Sequence, residues 1–284
     1  MNPTMTAVEA GLRRGGVELR GTFTNVQDLW NYVFMPAVIL VVMVFVGGDP
    51  LPGTELSLGD VTIPGVLGMQ VAVVGLVNLT TMRIIEREDG TLLRAKATPN
   101  GMLGYFVGKV VTVSGMALIS LAIILVPSAF LFDGLQLTKP GAWLTLAWVL
   151  LLGLAATMPI GAILGSLFSE ARAIGFIVPP MLGLIAASGI FYPITSAPVW
   201  LQWIAQAFPI YWLGLGMRSA LLPDSMAVVE IGDSWRYLET VGVLGVWAVA
   251  GLILAPIVLR RMARRESGST VDARREKAMQ RGTW

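Results

Sequence analysis

The chain has no cysteine, no histidine and few charges: Asp, Glu, Lys and Arg together make up 13% of its 284 residues. The absence of cysteine excludes a disulfide framework and thiol chemistry; that of histidine excludes imidazole acid–base catalysis and the usual zinc sites. Function is left to shape, carboxylates, hydroxyls, amides and aromatic rings, with no metal site implied. Two patterns are missing as well. The phosphate-cradling motif G-x-x-x-x-G-K-[ST] does not occur, because Gly108-Lys109 is followed by Val110 and Leu103 stands where the first glycine belongs. No Asp, Glu, Lys or Arg lies near the centre of a long apolar run, where one costs roughly 2.5–3.5 kcal/mol on insertion scales and marks an ion or proton route. A proton-coupled antiporter and a self-powered ATPase are both disfavoured.

What is present is apolar. Such residues take 55% of the positions and mean hydropathy is +0.72, against roughly 45–50% apolar and about 25% charged in a soluble domain. A polytopic, all-α membrane protein follows. Crossing a bilayer core takes about 20 mostly apolar residues, and six runs qualify: 30–46, 61–85, 105–132, 143–168, 173–191 and 238–259. The first is short and begins behind a mixed-charge segment, so it reads as a span and not as a cleavable signal. With six crossings and a cytoplasmic amino terminus, seventeen of the twenty Lys and Arg residues fall inside, and only Lys139, Arg218 and Arg236 fall outside. That asymmetry places both termini and the loop at Glu86 in the cytoplasm of a plasma (inner) membrane. It also accounts for the pI near 9.1 without a nucleic-acid partner.

Residues 1–29 carry Val8, Leu12, Leu19, Phe23 and Val26 at helical spacing, with Glu9, Arg13, Glu18 and Gln27 elsewhere around the turn. This predicts an amphipathic interfacial helix on the inner leaflet, weakened at Gly15-Gly16. Residues 30–260 form the six-span domain, and 261–284 a basic cytoplasmic tail that starts as an extension of the last helix and meets lipid headgroups.

The most informative stretch lies between the second and third runs: Glu86-Arg87-Glu88-Asp89-Gly90-Thr91-Leu92-Leu93-Arg94-Ala95-Lys96-Ala97-Thr98-Pro99. Asp89-Gly90 supplies a turn, Thr91 caps a helix of about two turns, and Thr98-Pro99-Asn100-Gly101 ends it. A short helix held crosswise between two spans can be pushed by a soluble partner; the same residues also suit a solvated loop that fixes topology. The pattern E-R-E-x-G-T-L-x-x-x-x-x-T-P, with Gly108-Lys109 after it, resembles the first cytoplasmic loop of ABC-2 type exporter permeases. The resemblance implies that loop 86–101 contacts a cytoplasmic ABC ATPase through Glu86, Arg87, Glu88, Gly90, Thr91, Leu92, Arg94, Thr98 and Pro99.

A second resemblance lies after the fifth run. Residues 192–218 are too broken by proline for a span and too apolar for an ordinary loop, which predicts a re-entrant or interfacial hairpin at the outer leaflet with Trp200, Trp203, Tyr211 and Trp212 near the headgroups. S-G-x-F-Y-P at Ser188, P-x-W-L-Q-W-I-A at Pro198 and F-P-I-Y-W at Phe208, followed by Arg218, are similar to the extracellular helices before the last span of ABC-2 permeases. The layout matches a type V exporter and comes nearest to daunorubicin-resistance-like drug permeases. It implies a second permease copy or paralogue, and ATP and Mg bound only on the partner subunit. Polar and soft residues in the spans, Gln70, Asn78, Met158 and Ser188, are candidates for a pathway ending under Trp203; such residues equally bond neighbouring helices or their own backbones. The Gly104/Gly108 and Gly161/Gly165 pairs suit close helix packing. The expected function is outward transport of a drug or other amphiphilic, lipid-like substrate. A non-ABC channel, an intramembrane enzyme or a lipid or glycan translocation protein stands as the alternative.

Overall fold

The computed structural model describes residues 3–49, 56–98, 100–168 and 170–265; Pro99, the tail beyond Arg265 and the side chains of Val26, Trp30, Leu93 and Lys96 lie outside that description. Helices make up the described fold: α1 (Pro3–Thr24), α2 (Val26–Val46), α3 (Leu58–Ala72), α4 (Leu79–Glu88), α5 (Thr91–Lys96), α6 (Gly101–Leu131), α7 (Pro140–Leu167), α8 (Ile174–Ala187), α9 (Val199–Ala207), α10 (Pro209–Leu221) and α11 (Tyr237–Arg265). Each of the six apolar runs falls on helix. Four are long and apolar enough to cross a membrane: Leu58–Glu88, Gly101–Leu131, Pro140–Leu167 and Tyr237–Leu259. The first and fifth runs yield shorter apolar helices, Pro36–Phe45 and Ala171–Ala187. Both carry internal proline, Pro36 in α2 and Pro179-Pro180 in α8, which removes backbone donors from the helical ladder.

The centre is the rod formed by α3 and α4, joined through one π-helical turn at Val73–Asn78. Inside the bundle, 78% of its apolar window is buried, against 22% for α11. Ser57 and Asp60 begin the rod with a reciprocal capping box, and buried Asp60 also accepts the Gly134 N–H at 2.9 Å, tying the start of α3 to the end of α6. Along α7 the rod approaches backbone to backbone. A Cβ on Gly161 would fall 2.5 Å from the Gly75 carbonyl oxygen and one on Gly165 would fall 2.6 Å from that of Thr80, while the Thr80 hydroxyl donates to the Gly161 carbonyl at 3.1 Å. The spacing of Gly161 and Gly165 thus has the role expected of it.

Gly104 and Gly108 are also at a close contact, and their partner is α1. This helix is continuous through Gly15-Gly16 and runs beside the first turns of α6. A Cβ on Gly11 or Gly15 would lie 2.5 or 2.6 Å from the carbonyl oxygen of Gly104 or Gly108. The face of α1 turned to the protein is therefore Ala7, Gly11 and Gly15, whereas Leu12, placed by periodicity on the apolar stripe, is 51% exposed beside it. Gly11→Val is expected to overpack this seam and lower stability by about 1–3 kcal/mol. Gly16→Ala, with nothing within 4 Å of the new methyl, is expected to be neutral or to stabilise by about 0.5–1 kcal/mol. Thermal unfolding of the detergent-purified variants reads both, and equal melting points would show that the seam does not hold α1.

The hairpin at 192–218 takes the re-entrant of the two expected forms. Helix α9 exposes Trp200 and Trp203, at 64% and 73%, but α10 turns back into the bundle and buries all of its residues, Tyr211 and Trp212 included. Small residues let it enter: Gly214 meets Gly68 of α3, and Gly216 sits against Val149 of α7. Both contacts lie on the halves of the α3–α4 rod and of α7 remote from the Glu86 loop.

Candidate functional site

Three consecutive charged side chains leave the end of α4 in three directions. Glu86 faces α6, where its carboxylate meets Lys109 Nζ at 2.5 Å and accepts a hydrogen bond from the Tyr105 hydroxyl. Arg87 donates to the Ser166 and Phe168 carbonyls at the end of α7, where a helix leaves its last carbonyls unpaired and favours a cation. Glu88 accepts the Ala171 N–H at 2.7 Å, at the start of the 3-10 turn that leads into α8. One tripeptide therefore fastens the end of the central rod to α6, α7 and α8.

Lys109 is shared. Its Nζ also lies 2.8 Å from Glu18 of α1, and Glu18 in turn accepts from Arg14 Nε at 2.8 Å. Arg83 donates to the Tyr105 hydroxyl, and the Tyr105 ring has Arg83, Arg14 and Lys109 at 5.1, 5.3 and 5.9 Å from its centroid, within the range of cation–π attraction. Burial opposes ionisation of Glu18, yet the hydrogen bonds and positive charges of Lys109 and Arg14 outweigh it and hold the carboxyl below its ordinary value. The cluster holds three cations, Arg14, Arg83 and Lys109, against two carboxylates, Glu18 and Glu86.

Helix α5 sits directly on this cluster. Gly90 and Asn100, both left-handed with φ of 73° and 53°, bracket the segment. Leu92 and Ala95 are buried against Tyr105, with Met102 and Phe106 beside them. On the other side Arg94, Ala97 and Thr98 are exposed, and Thr91, half-buried, lines a cleft toward α1. The expected coupling residues thus separate: Glu86, Arg87, Glu88 and Leu92 bind the chain's own helices, Gly90 and half-buried Thr91 form the turn before α5, and Arg94 and Thr98 face outward. Pro99 lies outside the described residues. Sequence reasoning missed Glu18, Arg83, Tyr105 and Lys109 as members of the site. For Arg83 and Lys109 the available signal was charge within a turn or two of the ends of apolar runs, which topology alone seemed sufficient to explain.

At the opposite end of the bundle Arg218 of α10 is buried with Glu230. Nε and Nη2 meet the two carboxylate oxygens at 2.6 and 3.3 Å, and Nη1 donates to the Ile190 and Gly189 carbonyls at 3.0 and 3.3 Å. Arg236 lies over the Trp212 ring at 4.7 Å and donates to Gln206 at 2.8 Å.

Residues 46–257 match the family described as ABC-2 family transporter protein. The chain belongs to the ABC-2 transporter family. No curated protein matches it. An ABC-2 chain is a membrane transport subunit, and members of the family typically work with a cytoplasmic ATPase, the separate subunit on which ATP is hydrolysed.

In this ABC-2 subunit the five pathway candidates are dispersed. Gln70 is buried in α3, Asn78 is half-buried at the end of the π turn, and Met158 packs half-buried beside that turn. Ser188 donates to the Ile185 carbonyl at 2.6 Å, which occupies it within its own helix end. Trp203 stands on the exposed face of α9. Thr80, Thr112 and Thr157 likewise donate to carbonyls one turn back, and Thr80 and Thr112 also reach Gly161 of α7 and Gly15 and Glu18 of α1, so these hydroxyls serve their own helices and the neighbouring ones.

Proposed function

We propose that this chain is the permease subunit of an ABC exporter that moves a drug or other amphiphilic, lipid-like substrate outward, working as a pair of permeases with cytoplasmic ATPase subunits. The observation that carries the reading is the three-way attachment of Glu86, Arg87 and Glu88. A force applied by the ATPase to the exposed side of α5 reaches α6 through the Leu92–Tyr105 contact and Glu86. The same displacement reaches α7 through Arg87 and α8 through Glu88, so the helices shift together instead of the loop deforming alone. A loop that only fixed topology would need none of these attachments.

The test does not require a known substrate. The native chain has no cysteine, so a cysteine at exposed Ser196, beside α9, reports on the far end of the bundle alone. In the complex with its ATPase, its reactivity toward an impermeant maleimide is expected to change with ATP. Arg87→Ala with Glu88→Ala is expected to abolish that change while the ATPase still co-purifies and hydrolyses ATP. An unaltered nucleotide response in the double variant would reduce the loop to a spacer.

A further inference from the structure

The rod of α3 and α4 changes its hydrogen-bonding pitch at its midpoint. Leu58–Glu88 runs as one helix of 31 residues, and Val73–Asn78 at its centre is a π turn. On one flank the Val73 N–H is shared between the Met69 and Gln70 carbonyls; on the other the Leu79 N–H donates to the Leu76 carbonyl, three residues back. A π turn inside an α-helix is found mostly at functional positions. Here it meets α7 backbone first, since a methyl on Gly75 would collide with the Thr157 hydroxyl. The helices beside it are interrupted at the same height. Pro159 of α7 lies between Thr157 and Gly161, the residues that touch Gly75, and α8, which packs on the turn, carries Pro179-Pro180. Each proline removes a donor from its ladder. The three helices that lose their regular pitch here are those whose inner ends Arg87 and Glu88 fasten together.

Bending a helix at mid-membrane frees backbone carbonyls where no water reaches them. Asn78 is placed to meet that demand. Helical side chains lean toward the amino terminus, so that of Asn78 lies back over the turn, toward the Val74 carbonyl. It is half-buried, and among the described residues its carboxamide makes no hydrogen bond; Thr80, two residues on, already gives its hydroxyl to the Leu76 carbonyl. We infer that residues 73–78 are a hinge on which the inner half of the bundle tilts against the outer half, and that Asn78 is the positioning residue that caps the carbonyls exposed by the bend. The inference rests on the proposed transmission of force from the Glu86 loop and adds the level at which the helices yield.

Spin labels on introduced cysteines test this, the native chain having no thiol. One pair, at Ile85 and Leu238, joins the inner half of the rod to the outer end of α11; a second, at Thr62 and Leu238, stays within the outer half. Labelled chain is diluted with cysteine-free chain in the ATPase complex in nanodiscs, and distances are read by double electron–electron resonance with and without ATP. Ile85 stands roughly 15 Å beyond Gly75 at the α-helical rise, so a tilt of about 15° moves it by about 4 Å. The first distance is expected to shift by several ångströms and the second to stay fixed. Asn78→Leu is expected to abolish the shift without lowering the melting temperature, because the amide it removes has no partner in this structure. Asn78→Ser, whose hydroxyl can bond the carbonyl one turn back, is expected to keep the shift, and so is Gln70→Leu, which removes another unpaired amide of the same rod. Equal shifts in both distances, or a shift that survives Asn78→Leu, overturn the hinge. If the cysteine at position 196 responds to ATP while Ile85 stays in place, the hinge fails and the transmission stands; silence at both positions removes the two together.

Discussion

Arg218→Met is expected to lower the thermal stability of the purified protein more than any other single substitution at the end of the bundle remote from the Glu86 loop. The guanidinium and the Glu230 carboxylate are 3% and 1% exposed and joined by two hydrogen bonds. Removing one partner of such a pair strands the other charge in a medium that solvates it poorly, at a cost of about 3–5 kcal/mol. Two further acceptors, the carbonyls of Gly189 and Ile190, lose their donor at the same time. The charge-free double variant Arg218→Met/Glu230→Leu is expected to recover much of the loss, because replacing both members of a buried pair with apolar groups is often close to neutral. Differential scanning fluorimetry in detergent distinguishes the outcomes. A double variant no better than the single one would mean that the carbonyl contacts, and not the ion pair, hold α10 in place.

Arg218 also marks where the sequence was legible and where it was not. Apolar runs set by the length of a bilayer crossing fall on helices because that requirement acts on each segment separately. The turn at Gly90 and the end of the short helix before Gly101 were likewise readable from local backbone chemistry. Burial of charge was not. Arg218, Arg83 and Lys109 were read from their flanks as topology signals, since nothing local to them names the Glu230 carboxylate twelve residues from Arg218, the Tyr105 hydroxyl twenty-two residues from Arg83 or the Glu18 carboxylate ninety-one residues from Lys109. The same limit explains α1. Its periodicity gave an amphipathic helix, but the glycine seam that fixes it to α6 shows only when Gly11 and Gly104 are set side by side. Tyr211 and Trp212 carry the composition of an interfacial belt and still lie inside the bundle, because Gly214 and Gly216 one turn on make room for the helix to enter. Within the Glu86 loop the residue types were informative and their partners were not: a mixed-charge tripeptide suits a groove on another protein as well as it suits three helix ends of its own.

The largest functional effect is expected at Lys109. Its ammonium, 7% exposed, is among the described residues the only group in contact with both Glu18 and Glu86, and so joins α1 to the end of the central rod through α6. Lys109→Met keeps the length and apolar character of the side chain and leaves two carboxylates facing each other without the cation between them. Because those carboxylates are 26% and 15% exposed, the loss of stability should fall at or below the lower end of the roughly 3–5 kcal/mol typical of a broken buried pair. The nucleotide-dependent change at position 196 is expected to disappear, and Lys109→Arg to restore it in part. The pH dependence supplies an independent check. The Glu18 carboxyl is held below its ordinary value of 4.5 in the folded protein, so its ionised form contributes stability that is present above that value and is lost as pH falls through the lower folded value. The wild-type advantage over Lys109→Met should therefore be full at neutral pH and shrink as the medium is taken below 4.5, since protonating Glu18 removes what Lys109 stabilises. Melting curves of the two proteins across this range that stay parallel would show that Lys109 acts through packing of its stem and not through its charge.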